Sequence, residues 1–425
     1  MGSIGPVLGG RNCRSALQVQ LVWRLMRILS VACLAAACGW AQELTLEPLP
    51  NPSGNSALQA NWSAGPDGSV ILSWIEPTKG SLHELRYALL RDPGQKDSKW
   101  SEPRTVATDR HFFRHPAELP EVMQMSDKLW LAHWVEMPQQ SSDAEFIYVS
   151  SSTDGLHWSQ PLMANQDRRP VQHGLVSMIG SGSGEASLFW LETPKGEDGP
   201  GYLMRSVVGA NGKETKEEAI DTDVCSCCST AVAKVDQGLV VAYRGHTPDD
   251  IRDISVVRFD GGHWTHPKNV HADNWKLDAC PVNGPAVAAK GNEVVVSWFT
   301  GAQDSPRTEI AFSPDNGSTF GKAAVVSTGH SHGLTAVALD GNGGAVVSWI
   351  EQGSEPGSGP GSGPGNGASR LLVRAVDKGG AARPVLQVAT GSRTELGYPR
   401  LVQSGNSTLI AWGTGSKILS AVLHK

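Results

Sequence analysis

Ser73-Trp74-Ile75-Glu76 is the first of a series. His133-Trp134-Val135-Glu136, Phe189-Trp190-Leu191-Glu192, Ser297-Trp298-Phe299-Thr300, Ser348-Trp349-Ile350-Glu351 and Ala411-Trp412-Gly413-Thr414 repeat it, and Ala242-Tyr243-Arg244-Gly245 fills the one gap. Successive aromatic positions are 60, 56, 53, 55, 51 and 63 residues apart. Each interval accommodates four short strands and their turns, which is the signature of a radial repeat. Working outward from each run, a β segment and a tight turn precede it, clearest at Gly65-Pro66-Asp67-Gly68, Lys290-Gly291-Asn292, Asp340-Gly341-Asn342-Gly343 and Ser404-Gly405-Asn406. Gly, Asn and Asp supply the backbone angles that a hairpin needs there. An outer hairpin completes the unit.

Ser313-Pro314-Asp315-Asn316-Gly317-Ser318-Thr319-Phe320 lies in that outer hairpin and fits the Asp-box pattern Ser-x-Asp-x-Gly-x-Thr-Trp, with Phe at the last position. Ser152-Thr153-Asp154-Gly155-Leu156-His157-Trp158 is a copy one residue shorter, and Phe259-Asp260-Gly261-Gly262-His263-Trp264 is a weaker one. The Asp carboxylate is expected to accept backbone N–H bonds across the turn, the Gly to supply positive φ, and the aromatic to pack between sheets. The motif is structural and identifies no catalytic group. On these residues the chain resembles the sialidase-like superfamily of Asp-box (BNR-repeat) propellers over most of its length after the N-terminal segment.

The expected fold is therefore all-β: a single β-propeller of four-stranded antiparallel blades, with seven blades favoured over six. The last repeat, from residue 397 to 425, stops after three strands. Residues 43–49 are expected to supply the missing outer strand and close the ring, leaving no open sheet edge. The Gly/Ser/Pro stretch 353–367 reads as a flexible loop inside the sixth repeat, because the repeat resumes at residue 371.

With 18% charged residues and a net charge of −6, the chain has no basic stripe to neutralise a phosphate backbone, so nucleic acid is excluded as a partner. Arg24 and Arg27 followed by an apolar run from 28 to 37 and small residues around Ala41 have the order of a secretory signal, residues 1–41, with Met26 as a candidate true start. The run is too short to span a bilayer. Release after Ala41 to the periplasm or medium is favoured over lipid anchoring at Cys38. The 42–425 propeller is expected to act as a monomer.

In a propeller the loops entering the innermost strands open on one face. In order they carry a bland 51–55, Arg114-His115, Gln172-His173, Cys225-Ser226-Cys227-Cys228, Cys280-Pro281-Val282-Asn283, His330-Ser331-His332 and Tyr398-Pro399-Arg400. Thiolate and imidazole suit zinc or copper, so Cys225, Cys227, Cys228 and Cys280, with His330 or His332, are candidate metal ligands. The competing reading is a disulfide from Cys280 to the cluster, as exported proteins favour. One disulfide would still leave two thiols.

Arg244, Arg252, Arg307, Arg400 and Arg114 are candidates for gripping an anionic ligand, since guanidinium binds carboxylate bidentately. The resemblance implies a glycan, a sialic acid in particular. It further implies Tyr398 or Tyr243 as nucleophile and Asp250 or Asp253 as acid, in an exo-sialidase type of hydrolysis. No Arg-Ile-Pro motif occurs in the chain. The alternatives are that these arginines brace Asp249, Asp250 and Asp253, and that the protein is a soft-metal or redox protein or a non-catalytic scaffold. Glu76, Glu136, Glu192 and Glu351 recur two residues after a Trp, so they are expected to do a structural job such as bonding between blades.

Overall fold

The computed structural model describes residues 1–2, 43–138, 144–180, 184–196, 199–209, 217–353 and 368–425. The signal segment from residue 3 on, with Met26 and Cys38, and all of the 353–367 stretch but Gly353, lie outside the described residues. Residues from Leu44 to Lys425 form one compact unit.

That unit is built of seven antiparallel sheets, and in the first six blades successive strands pair in sequence order. Blades 1 to 6 span 58–109, 121–163, 173–224, 231–269, 286–325 and 331–391. The outer strand of blade 4 is split into two short pieces, His263–Trp264 and Lys268–Asn269. Blade 7 takes its first three strands from Arg400–Ser404, Ser407–Gly413 and Ile418–His424. Its fourth is Thr45–Pro48, antiparallel to Ile418–His424 with Thr45 opposite His424. The N-terminal strand thus closes the ring as the truncated last repeat required.

Seven hydrophobic clusters hold the blades, and every one joins two neighbours. Trp62, Leu72 and Trp74 of blade 1 pack with Leu409, Ala411 and Val422 of blade 7. The other six clusters join each remaining adjacent pair. The core of this fold is therefore between sheets, which is why second strands read as nearly continuous apolar runs such as Val70–Pro77 and Ala345–Gln352. Trp74, Trp134, Trp190, Trp298 and Trp349 are fully buried, and Tyr243 takes the equivalent place in blade 4. Burying one such ring contributes roughly 4–6 kcal/mol before ordering entropy is counted.

The turns behave as their residues dictate. Asp315 Oδ1 accepts from the Thr319 N–H at 2.8 Å, and Gly317 has φ +77°. Asp154 Oδ1 accepts from the N–H groups of Leu156 and His157, both at 2.8 Å, with Gly155 at φ +68°. Trp158 packs in the cluster between blades 1 and 2, Trp264 between 3 and 4, and Phe320 between 4 and 5.

The recurring carboxylates are structural, although their bonds stay largely within a blade. Glu76, Glu136 and Glu351 each accept from the indole N–H of the Trp two residues earlier, at 2.7 Å. Glu76 also accepts from Gly54 N–H, and Glu351 from Gly329 N–H, tying the loop that enters the same blade. The expectation of bonds between blades is corrected: alternation places Trp and Glu side by side on one strand face, so the nearest donor is their own indole. In blade 5, where Thr300 replaces Glu, Asp273 accepts from Trp298 instead.

Candidate functional site

The outer strand of blade 3 ends at Val224, and the chain then turns sharply through the cysteines. Val224 bridges Gly245 of the next blade, and the Cys225 N–H donates to Arg244 C=O at 3.0 Å. Gln172 donates to Ser226 C=O at 2.7 Å, fixing the turn to the loop that enters blade 3. Thr230 Oγ1 donates to Leu175 C=O at 3.1 Å, anchoring its other end. Against this turn lies the loop entering blade 5. A Cβ on Gly284 would stand 2.1 Å from the Ser229 carbonyl oxygen, so only glycine permits the two backbones to approach this closely.

The approach brings Cys227 and Cys280 into a disulfide across 53 residues, tying the entry of blade 4 to the entry of blade 5. Closing a loop of that length stabilises by about 2–4 kcal/mol. Cys225 and Cys228 are free thiols and buried. The Cys225 Sγ lies 2.9 Å from the Cys228 Sγ and 3.7 Å from the Cys227 Sγ. The Cys228 thiol hydrogen bond, the charges of Arg244 and Arg252 and a backbone bond from Cys227 outweigh burial and bring the Cys225 thiol down to about 6. Burial, with the neighbouring Cys225, pushes Cys228 up.

Above the disulfide opens a cavity of about 610 Å³, lined by Cys227, Cys280, Asp223, His246, Asp250, Arg252 and Asp278 among others. His246 is held between two carboxylates, with Nδ1 2.5 Å from Asp223 Oδ1 and Nε2 3.3 Å from Asp250 Oδ1. Arg252 donates to Leu277 C=O at 3.1 Å and lies 3.9 Å from Asp250. The floor is thus a disulfide and the walls are an alternation of acids, an imidazole and a guanidinium.

The arginines do not gather around one ligand. Arg244 is 1% exposed; it donates to the carbonyls of Asn283, Arg252 and Phe299 and stands 5.0 Å from the centroid of the Trp275 ring. Its role is to knit three loops together from beneath. Arg307 braces its own turn through Glu309 and the carbonyls of Ala302 and Ser305. Arg114 is exposed and contacts His83 at 3.1 Å, beside a separate depression. Arg400 faces the central channel, donates to Asn61 at 3.1 Å and lowers the neighbouring Glu121, whose burial raises it to about 8.

Tyr398 donates to Val282 C=O at 2.7 Å, and burial pushes its phenol up, so its oxygen is already committed. Tyr243 is fully buried and donates to Asp221. Asp253 accepts from the N–H groups of Asn274 and Trp275, both at 3.0 Å, and is buried under the loop rather than exposed to the cavity. His330 and His332 meet edge to face, with ring centroids 5.7 Å apart, and do not join the group in which Cys225, Cys227 and Cys228 meet. Of the sequence candidates, the fold brings together Cys225, Cys227, Cys228, Cys280, Asp250 and Arg252, with Arg244 behind them.

Sequence reasoning passed over His246, Asp223 and Glu121. His246 follows directly on the fourth aromatic run, and its position four residues before Asp250 was the available signal. Three further groups of Asp, His and Glu lie close together: Asp109 with His111 and Glu136, Asp167 with His173 and Glu192, His271 with Asp273 and Glu309. Their recurrence beside the buried Trp of three blades marks them as part of the repeat.

No family model and no curated protein matches the sequence. Among solved structures, the BP39L lectin from Burkholderia pseudomallei superposes with a TM-score of 0.58 at 12% identity, covering 88% of this chain and 96% of the lectin. The endosialidase of phage phi92 gives 0.48 at 11% identity over 90% of this chain and 69% of its own. The alpha-L-arabinanase of Penicillium chrysogenum gives 0.46 at 11% over 90% and 97%. At such identities the likeness is one of fold. The protein is a seven-bladed β-propeller. Among the described residues, no helix is long and apolar enough to cross a membrane.

Proposed function

We propose that the protein is an exported glycan-binding propeller whose ligand sits in the cavity above the Cys227–Cys280 disulfide. The observation that carries this reading is the lining: His246 clamped by Asp223 and Asp250, with Arg252 at 3.9 Å from Asp250, presents donors and acceptors side by side in about 610 Å³. Sugar hydroxyls, each both donor and acceptor, match such an alternation, and sites of this size fit small ligands. A lectin among the proteins of like fold supports the ligand class. Binding rather than sialidase-type hydrolysis is proposed, because Arg244, Arg307 and Arg400 are committed to three different places. The signal-like order of residues 1–41 and the disulfide support export.

A printed array of neutral and sialylated glycans tests this. Retention of a subset by the wild type, with loss in Asp250→Asn and Arg252→Gln, is the expected result. Uniform background binding, or binding unchanged in both variants, would contradict it. A mature intact mass that starts at Gln42 would support export, and a mass that retains residues 27–41 would oppose it.

A further inference from the structure

Of the seven cysteines in the chain, the four that follow the signal segment are more than one disulfide requires, and the two of these that are free lie beside it. Cys225, Cys227 and Cys228 hold their sulfurs within 4.8 Å of one another, and Cys280 is covalently attached to Cys227. We propose that reduction of the Cys227–Cys280 disulfide turns this cluster into a tetrathiolate site for one thiophilic d¹⁰ ion, Zn²⁺ or Cu⁺, so that the metal site is opened and closed by redox state.

Geometry supports the ligand set. Zn–S bonds of about 2.3 Å in a tetrahedron put sulfurs about 3.8 Å apart. The Cys225 and Cys227 sulfurs are already 3.7 Å apart, and the 2.9 Å between Cys225 and Cys228 needs less than about 1 Å of opening. Three ligands come from one turn and the fourth from the next loop, and both loops are fixed, by Gly284 against Ser229 and by the bonds of Arg244 to Asn283.

A second, independent observation is electrostatic. A tetrathiolate of a divalent ion carries two negative charges, which need cations in a buried setting. Arg244 is 1% exposed and hydrogen-bonds the carbonyls of Asn283, Arg252 and Phe299, with the Asp253 carboxyl within reach of its charge. The Arg244 carbonyl itself accepts from the Cys225 N–H at 3.0 Å, so Arg244 lies directly beside the turn that carries the thiols. A buried guanidinium whose hydrogen bonds all go to neutral carbonyls keeps positive charge to set against an anionic cluster beside it.

The chemistry balances with a dithiol as reductant. One thiolate of the dithiol attacks the Cys227–Cys280 bond; its second sulfur then displaces the mixed disulfide, leaving a cyclic disulfide and two protein thiols. The four thiols then lose four protons to bind one divalent ion, or fewer for Cu⁺ with retained thiol protons. Export compartments are oxidising, so the closed, disulfide form is the resting one and the open form marks reducing conditions or a reducing partner.

The experiment is a cobalt(II) titration of the full chain under argon, before and after a dithiol treatment that is then removed. The reduced protein is expected to bind about one Co²⁺ with the intense visible bands of tetrahedral thiolate, to lose them on adding Zn²⁺, and to protect all its thiols from alkylation. The untreated protein should show none of this. A Cu⁺ arm with a competing chelator distinguishes the two ions. Cys225→Ser and Cys280→Ser should each abolish the tetrathiolate spectrum. Reduced wild type that binds no Co²⁺ or Cu⁺, that leaves its thiols reactive with metal present, or that loses its β circular dichroism irreversibly on reduction would overturn the proposal.

Discussion

The Cys225 N–H donates to the carbonyl of Arg244 at 3.0 Å, so the cysteine turn leaving blade 3 is stitched to the residue whose guanidinium gathers the loops of blades 4 and 5. Arg244→Met should leave the carbonyls of Asn283, Phe299 and Arg252 short of donors. A loss of about 3–5 kcal/mol in denaturant unfolding is expected. A loss below about 1 kcal/mol would mean that the guanidinium does not organise the loops.

Gly284→Ala should cost about 1–3 kcal/mol or more, because its Cβ would fall on the Ser229 carbonyl oxygen. Gly321→Ala is the control, with the Phe312 oxygen at an ordinary 3.6 Å, and should change stability by less than about 0.5 kcal/mol. Equal melting shifts in the two variants would count against the close approach.

Closure of the ring rests on Thr45–Pro48 against Ile418–His424. Deleting residues 43–49 should lower the melting temperature and expose the Ile418–His424 edge, seen as concentration-dependent association in light scattering. A truncated chain that stays monodisperse with wild-type melting would show that the N-terminal strand is dispensable.

Glu121 sets a pH dependence of definite sign. Burial raises it to about 8 in the folded chain, while the Arg400 charge opposes the rise. The folded state therefore holds a proton that the unfolded state has released, and its contribution to stability is complete below the usual carboxylate range. It is lost as pH rises toward 8, by up to about 1.4 kcal/mol per pH unit. Glu121→Gln should flatten that limb of the stability–pH curve, measured by urea unfolding from pH 5 to 9. A wild type that gains stability over this interval, with the variant parallel to it, would contradict the assignment.

The fold could be read from sequence because its signals are local and repeated. Trp74 through Trp412 fix the blade spacing, Asp154 and Asp315 fix turns by bonds to their own neighbours, and the missing strand of blade 7 follows from counting. The cysteine pocket was partly readable, since Cys225–Cys228 and Cys280 enter adjacent blades on one face. The arginines misled because a guanidinium satisfied by carbonyls looks, in sequence, like one awaiting a ligand. Arg244 shares a strand face with Ala242, but what it meets is the loop around Asn283, 39 residues away. Glu121 became visible only with Arg400 of blade 7 beside it, and His246, hinted at by its spacing to Asp250, only with Asp223 of blade 3 as its second carboxylate.

The site exists only where the loops entering blades 4 and 5 meet through sulfur. Peptide mapping of the unreduced protein, with free thiols alkylated first under denaturing conditions and each position located by fragmentation, reads this directly. Cys227 joined to Cys280, with the alkyl label on Cys225 and Cys228, is the expected pattern. A Cys225–Cys228 bond with Cys280 labelled, or Cys280 joined to a second chain, would contradict it.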